Sequence, residues 1–146
     1  MKKLILLSGL FLTTTAFAGE LHNYNDIVSA ISSGTSLHFV TDFTQCTPTK
    51  KSAAAATVIT TMSTGAFTPN EIGVTSEHIA TALTHFTLND PMFPGKPVNE
   101  FVRYTITPDN NMNVILNVLD PVTYASLLNP PIVLNCKIDV ATKIYT

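Results

Sequence analysis

The sequence predicts an α+β protein, mainly antiparallel β, with an N-terminal helix packed on a curved meander sheet that forms a half-barrel or a sandwich. Three observations support this fold class. Apolar residues recur with helical spacing near the N-terminus, and six to eight short strand-like segments follow, separated by turn residues. Two of these segments form a clear β-hairpin. No repeat or linker divides the chain, so we expect a single domain.

The first eighteen residues have the features of a secretory signal peptide. Lys2 and Lys3 precede an apolar run over 4–12, and Ala16 and Ala18 stand at the cleavage-site positions. The run is about nine residues long, whereas a membrane-spanning helix needs roughly 20. We therefore predict that residues 1–18 are removed and that residues 19–146 form the working domain. That domain would be periplasmic or secreted, with no stable membrane insertion.

The first elements of the mature chain are a helix and a strand. The helix is expected over about 24–33, with Asn23 as its N-cap and Gly34 at its end. Alternation of apolar residues over 37–43 predicts a strand that runs toward Cys46. The helical stripe consists of Tyr24, Ile27, Val28 and Ile31.

The middle of the chain carries weaker patterns. Residues 47–56 are low in complexity and predict a surface loop with room for a short helical turn, whereas the β-branched run 57–62 predicts a strand. The segment 66–74 contains Pro69, which cannot donate to a β-ladder, so we expect an edge strand or a broken one. Residues 77–88 fit both helix and strand, and their threonine content favours a strand.

The C-terminal half contains the hairpin. Three prolines and a glycine predict a loop over 89–97. Residues 98–106 and 112–119 then alternate in polarity on either side of a turn, which is typical of two antiparallel strands. Residues 124–128 suggest a single helical turn, 132–138 form the last apolar strand face, and 141–145 are expected to pair back on that strand.

Composition restricts the partners. Without Lys2 and Lys3 the chain keeps 6 basic and 10 acidic residues, a formal charge of −4, and Arg103 is its one arginine. Nucleic-acid binding needs clustered Lys and Arg, so no nucleic-acid partner is expected. Cys46 and Cys136 are the two cysteines of an exported chain, and we predict that they form a structural disulfide.

Catalytic patterns are weak throughout the sequence. No nucleophile elbow, phosphate loop or paired-carboxylate spacing is present, and the four histidines lack metal-ligand spacing. We therefore predict no catalytic residues, no metal and no cofactor. Glu77-His78 followed by His85 is the one suggestive cluster, and it leaves open a hydrolase that uses His78 or His85 as its base.

Two features are candidates for recognition. Arg103, between aromatic neighbours in the hairpin, suits either an ion pair or an anionic ligand. Met92 and Phe93, between prolines in the 89–97 loop, suit either an exposed apolar contact or a lid folded back on the sheet. The partner would be an unknown protein or a small ligand.

The order of these segments resembles the VirK family of small exported bacterial proteins. The resemblance rests on the chain length and the two cysteines together with the sequence segments Thr41–Cys46, Tyr104–Ile106, Leu119–Tyr124 and Lys143–Tyr145. It implies an association with virulence in Gram-negative bacteria, no established biochemical role, and a disulfide between Cys46 and Cys136.

The leading hypothesis is an exported, non-enzymatic virulence-associated or accessory binding protein of a Gram-negative bacterium. A small-ligand carrier in the periplasm is the second hypothesis, because a curved sheet with apolar inner faces can enclose a pocket. The hydrolase is the third.

Overall fold

Two antiparallel β-sheets and two α-helices make up the part of the chain that the structure, a computed structural model, describes: residues 19–146. The predicted signal peptide, residues 1–18, lies outside the described residues. The α+β class with mainly antiparallel strands is confirmed. The sheets do not close into a barrel, so the half-barrel is not confirmed.

The strands fall into a four-stranded and a six-stranded sheet. In chain order the elements are β1 (Glu20–Leu21), α1 (Tyr24–Ser32), β2 (His38–Asp42), a 3₁₀ turn (Phe43–Gln45), β3 (Thr47–Pro48), α2 (Ala53–Thr61), β4 (Thr64–Phe67), β5 (Gly73–Val74), β6 (Ile79–Thr87), β7 (Val98–Ile106), β8 (Asn111–Leu119), β9 (Ile132–Lys137) and β10 (Thr142–Tyr145). The four-stranded sheet has the order β1-β10-β2-β4, and the six-stranded sheet has the order β3-β9-β8-β7-β6-β5. Strands β6 to β9 form the predicted meander.

Helix α1 lies where the sequence predicts it. The Asn23 side chain accepts hydrogen bonds from two backbone N–H groups of the first turn, and Gly34 follows the helix with a positive φ of 76°. The backbone N–H of Tyr24 donates to Asn110 Oδ1 at 2.8 Å, which anchors the helix start on the turn between β7 and β8. Three side chains of the helix are buried in the core: Tyr24, Ile27 and Ala30.

Helix α2 corrects two expectations, the loop over 47–56 and the strand over 57–62. Ser52 caps this helix, with its hydroxyl accepting from the N–H of Ala55 at 3.1 Å. Alanine has the highest helix propensity, so the run that begins at Ala53 starts a helix that the β-branched residues continue. The threonine hydroxyls donate to carbonyls of the preceding turn, as that of Thr57 does to Ala53 at 3.0 Å.

The remaining strand predictions divide into confirmed and wrong ones. The hairpin of β7 and β8, the strand β6, the loop over 89–97 and the break at Pro69 between β4 and β5 are confirmed. Residues 124–128 contain no helical turn, because Asp120 Oδ1 accepts from the N–H groups of Val122 and Thr123 and closes a tight turn before them.

The C-terminal strand pairs with a different sheet from the one predicted. Strand β10 does not run back along β9; it inserts between β1 and β2. Asp139, at a positive φ of 68°, turns the chain away from β9. The move buries Ile144 opposite Phe39 and brings the hydroxyls of Thr41 and Thr142 within 3.0 Å of each other in the core.

One cluster of buried side chains connects both sheets and both helices. The predicted disulfide between Cys46 and Cys136 is present in this core, with the two residues 6% and 0% exposed. Cys46 stands where the chain passes from β2 to β3, and therefore from one sheet to the other, while Cys136 lies in β9. None of the helices within residues 19–146 combines the length and the apolar character needed to span a bilayer.

Candidate functional site

A cleft of about 210 Å³ opens between the two sheets, beside β4 and β6. We call it the Glu100 cleft. Strand β4 is the last strand of the four-stranded sheet, and β6 is followed only by the two-residue β5 in the other sheet. The residues that line it are Thr41, Phe43, Met62, Gly65, Ala66, Phe67, Leu83, His85, Glu100, Val102 and Tyr104.

Strand alternation places an acid and a base side by side on the cleft side of the six-stranded sheet. In the β6–β7 register His85 is opposite Glu100, and Leu83 is opposite Val102. Cross-strand partners on one face have β-carbons about 5 Å apart, so long polar side chains there can meet. His85 Nδ1 lies 3.4 Å from Glu100 Oε2.

Aromatic rings form the wall that joins the sheets. The ring of Phe67 in β4 stacks on Phe39 of β2 with centroids 4.9 Å apart, and on Tyr104 of β7 with centroids 4.3 Å apart. Gly65 lets β4 approach the ring of Phe43, because a β-carbon at this position would lie 2.8 Å from Phe43 Cε2. The glycine therefore keeps this wall close-packed.

Glu100 is the buried member of the acid–base pair. The residue is 8% exposed, whereas the His85 side chain is 63% exposed at the rim. Burial raises the pKa of Glu100 above its ordinary value of 4.5, the His85 contact opposes this rise in pKa, and the nearby charge of Asp90 adds to it. Burial therefore disfavours the charged form of Glu100, and the contact with His85 offsets this effect only in part.

A second carboxyl lies close to Glu100. Asp90 is 2% exposed, and its Oδ1 accepts hydrogen bonds from the N–H groups of Met92 at 2.7 Å and Phe93 at 3.1 Å. This arrangement fixes the loop between β6 and β7. Tyr104 adds a neutral phenol, because burial raises the pKa of its hydroxyl far above the ordinary range.

The cleft therefore presents one carboxyl group, that of Glu100, among apolar and aromatic residues. Within residues 19–146 no Lys or Arg pairs with Glu100, whose one ion-pair partner is His85. A cation with an apolar body complements such a surface, since its charge neutralises the acid and its apolar body contacts the apolar walls.

The predicted recognition residues lie elsewhere. Arg103 is exposed on the outer face of the six-stranded sheet, between Ala82 and Ile115 in the register. Met92 packs against the hydrophobic core, and Phe93 is half-buried beside it in the chain. None of the three lines the Glu100 cleft, and their role in recognition stays a prediction.

The histidines are separated by the fold. His78 precedes β6, with its Nδ1 3.3 Å from the hydroxyl of Thr75, while His85 lies near the other end of that strand. The two would therefore act separately as bases. His85 is the one that stands beside a buried acid.

One group of possible metal ligands is present in the described residues. Potential ligand atoms of Glu20, His22 and Asp139 lie within 4.8 Å of one another, which sequence spacing does not reveal because Asp139 is distant in the chain. The Lys143 ammonium lies 2.8 Å from Glu20 and 2.9 Å from Asp139. A cationic side chain therefore already balances these carboxylates.

A larger groove of about 430 Å³ lies outside the sheets, lined by residues 127–133 and by Thr49, Lys50, Ser52 and Ala54. Most of its lining residues are apolar, and Lys50 is its one titratable residue. Ligand sites combine apolar walls with a few convergent polar groups of perturbed pKa. The smaller Glu100 cleft meets that description better.

Sequence reasoning did not identify Glu100 and Asp90. The signal was nevertheless present, because Glu100 occupies an inward position of the clearest strand, between Val98 and Val102 on the apolar face. A charged residue at such a position is costly unless it is paired or functional. Asp90 had no comparable signal, since it stands in a proline-rich loop.

These features define a class: a small, disulfide-linked α+β protein of two antiparallel sheets with an acidic cleft between them. The family model described as VirK protein matches residues 20–124. The chain belongs to the VirK family, and the resemblance found in the sequence is confirmed.

The fold is shared with a protein of known structure. A VirK family protein from Legionella pneumophila superimposes with a TM-score of 0.74 at 24% identity, over 87% of this chain and 98% of that one. At this identity the match shows a common fold. No curated protein matches the chain by sequence.

Proposed function

We propose that this protein is exported and acts outside the cytoplasm as a non-enzymatic binding protein, in a virulence-associated or accessory role, and that its Glu100 cleft takes up a cationic group. One observation carries the assignment of the site. The Glu100 side chain, 10% exposed, lies in an apolar and aromatic cleft where no Lys or Arg of residues 19–146 pairs with it.

The energetics favour a cationic ligand. A carboxylate removed from water is costly unless a charge or several hydrogen bonds compensate it. A bound ammonium or guanidinium group would supply that compensation next to Glu100. Leu83 and Val102, which line the cleft beside Glu100, would contact the apolar body of such a ligand.

Two features support export. Residues 1–18 have the composition of a signal peptide, and disulfides such as that of Cys46 and Cys136 persist mainly in oxidising compartments. The virulence-associated role rests on membership of the VirK family.

The alternatives have less support. A carrier needs a pocket of roughly 300 Å³ or more. The groove of about 430 Å³ outside the sheets reaches that volume but has one titratable group, Lys50, whereas the Glu100 cleft is about 210 Å³ and the apolar space beside it about 30 Å³. A hydrolase needs a nucleophile or an activated water at His85. The cleft hydroxyl of Thr41 is instead bonded to Thr142, and His85 contacts the acid Glu100.

The test is an amide NMR titration of the mature protein with n-butylamine, with butyrate as the anionic probe. We expect the amine alone to shift amides that line the cleft, and we expect Glu100→Gln to remove the shifts. Glu77→Gln is the matched control, because it makes the same change at an exposed residue outside the cleft. Equal responses of the two variants, or no response to the amine, would contradict the proposal, as would turnover of ester, glycan or peptide substrates.

A further inference from the structure

The edge of β6 that borders the Glu100 cleft lacks a neighbouring strand over most of its length. Strand β5 pairs only with Ile79 and Ala80, and the hydroxyl of Thr81 donates to the carbonyl of Glu71 at 2.6 Å. From Ala82 to Thr87, the strand pairing in the described part of the chain is to β7 alone. Alternate backbone N–H and C=O groups of this stretch therefore point away from the sheet without a strand to receive them.

This edge lacks the charges, prolines and bulges that usually protect an edge strand from pairing with another chain. Residues 82–87 include no Lys, Asp, Glu or Pro, and the nine β6–β7 pairs follow one another without a bulge. Phe86 is 58% exposed and Leu88 is 53% exposed. Natural edge strands are normally blunted by charges, prolines, bulges or covering loops, so a regular, uncharged and partly apolar edge is a template for an added strand.

The cleft supplies the space for such a strand. Leu83 and His85 of β6 line one side, and residues 65–67 of β4, the terminal strand of the other sheet, line the opposite side. A segment paired with β6 would run along the mouth of the gap between the two sheets, and one of its inward side chains would enter the cleft.

Charge complementarity indicates the composition of that segment. An added strand would lie two strand spacings, about 10 Å, from β7 and hence from Glu100. Only a long side chain on its inward face could reach across His85 to the carboxyl, and Lys or Arg has both the length and the charge. The nearby Asp90 carboxyl strengthens the preference for a cation. A second copy of this chain is a poor occupant, because its own β6 edge carries neither Lys nor Arg.

We propose that an extended segment of a partner protein, with a Lys or Arg among apolar residues, adds to β6 as an extra strand and places its basic side chain on Glu100. The proposal rests on the function inferred for the Glu100 cleft and adds the mode of binding. Backbone pairing would supply affinity, and the inward basic side chain would supply specificity, as in other cases of strand addition.

The experiment compares three capped peptides by amide NMR of the mature protein at millimolar peptide concentrations. The first is Thr-Val-Lys-Val-Thr, the second carries N-methyl groups on both Val residues, and the third has norleucine in place of Lys. We expect the first to shift the amides of residues 82–87 and of Glu100. N-methylation should weaken binding about three- to tenfold by removing strand hydrogen bonds. Glu100→Gln should weaken the Lys peptide about tenfold or more and leave the norleucine peptide unchanged, whereas Glu77→Gln should change neither.

The contradicting outcomes separate the mode of binding from the site. If the N-methylated peptide binds with the same affinity as the first peptide, and n-butylamine also binds through Glu100, the cleft takes a cation without strand pairing. The inference then fails while the proposed function stands. If neither the peptides nor the amine affects Glu100, both fail. If residues 82–87 shift with protein concentration alone and sedimentation shows a dimer, a second copy occupies the edge and the inference is wrong.

Discussion

Removal of the disulfide should destabilise the protein by an amount that the loop size sets. Cys46 and Cys136 are separated by 90 residues in the chain, and both are buried. The chain-entropy relation gives a cross-link over about 90 residues a stabilisation of about 4.6 kcal/mol at 25 °C, chiefly by restricting the unfolded chain. Domains of ordinary size have unfolding free energies of about 5–15 kcal/mol. The change Cys46→Ala/Cys136→Ala should therefore leave a fold of low stability.

Urea unfolding followed by circular dichroism measures this loss. The oxidised mature protein is compared with the double alanine variant and with the wild-type protein reduced in denaturant and refolded under reducing conditions. The reduced protein keeps both sulfur atoms, so it separates the cross-link from the loss of side-chain volume. We expect the reduced protein to lose about 4 to 5 kcal/mol, and the double alanine variant to lose more because it also loses buried side-chain volume. A loss below about 1 kcal/mol in the reduced protein would refute the view that this cross-link stabilises the junction of the two sheets.

Three further changes test the core and the cleft. Glu100→Gln should raise the thermal midpoint at neutral pH and leave it unchanged below pH 4.5. Burial raises the pKa of Glu100, so the wild-type protein loses stability as pH rises from 4.5 through the folded-state pKa. Parallel pH profiles of the two proteins would contradict this. Gly65→Ala should lower the free energy of unfolding in urea by about 1–3 kcal/mol, since the new β-carbon would lie 2.8 Å from the Phe43 ring. Phe43→Leu in the same chain should recover part of this loss. An unchanged urea midpoint would contradict the close packing of β4 on Phe43. Thr41→Val should lower the free energy of unfolding by about 1–3 kcal/mol, because it leaves the buried Thr142 hydroxyl without its partner. The double change Thr41→Val/Thr142→Val should cost less. A double variant less stable than the single one would contradict this reasoning.

Local patterns predicted much of the fold because most elements carry their own periodicity. Helix α1 has apolar residues at helical spacing and an N-cap in one stretch of sequence, and the hairpin of β7 and β8 has alternating polarity around turn residues. Helix α2 was missed because its second half is rich in β-branched residues, and the Ser52 cap and the alanines before it decide the conformation. The pairing of β10 with β1 and β2 depends on contacts between the two ends of the chain, which no local pattern encodes.

The candidate site was less predictable than the fold. Sequence reasoning identified His85 only as one of two alternative bases, His78 or His85, whereas the cross-strand register places it opposite Glu100. The β6–β7 register could not be counted from turn geometry, as the register of a two-residue hairpin can, because the long loop over 89–97 joins the two strands. The contribution of β4 to the cleft depends on the packing of the two sheets, which becomes visible only in three dimensions.

The most direct test of the claim that Glu100 takes up a cation is a carbon-detected NMR titration of its carboxyl group, with and without n-butylamine. In the free protein we expect the carboxyl to titrate above the ordinary pKa of 4.5, because burial disfavours its charged form. With the amine present the same carboxyl should titrate at lower pH, because a bound ammonium group stabilises the carboxylate. Superimposable titration curves for Glu100 at millimolar amine would contradict the account.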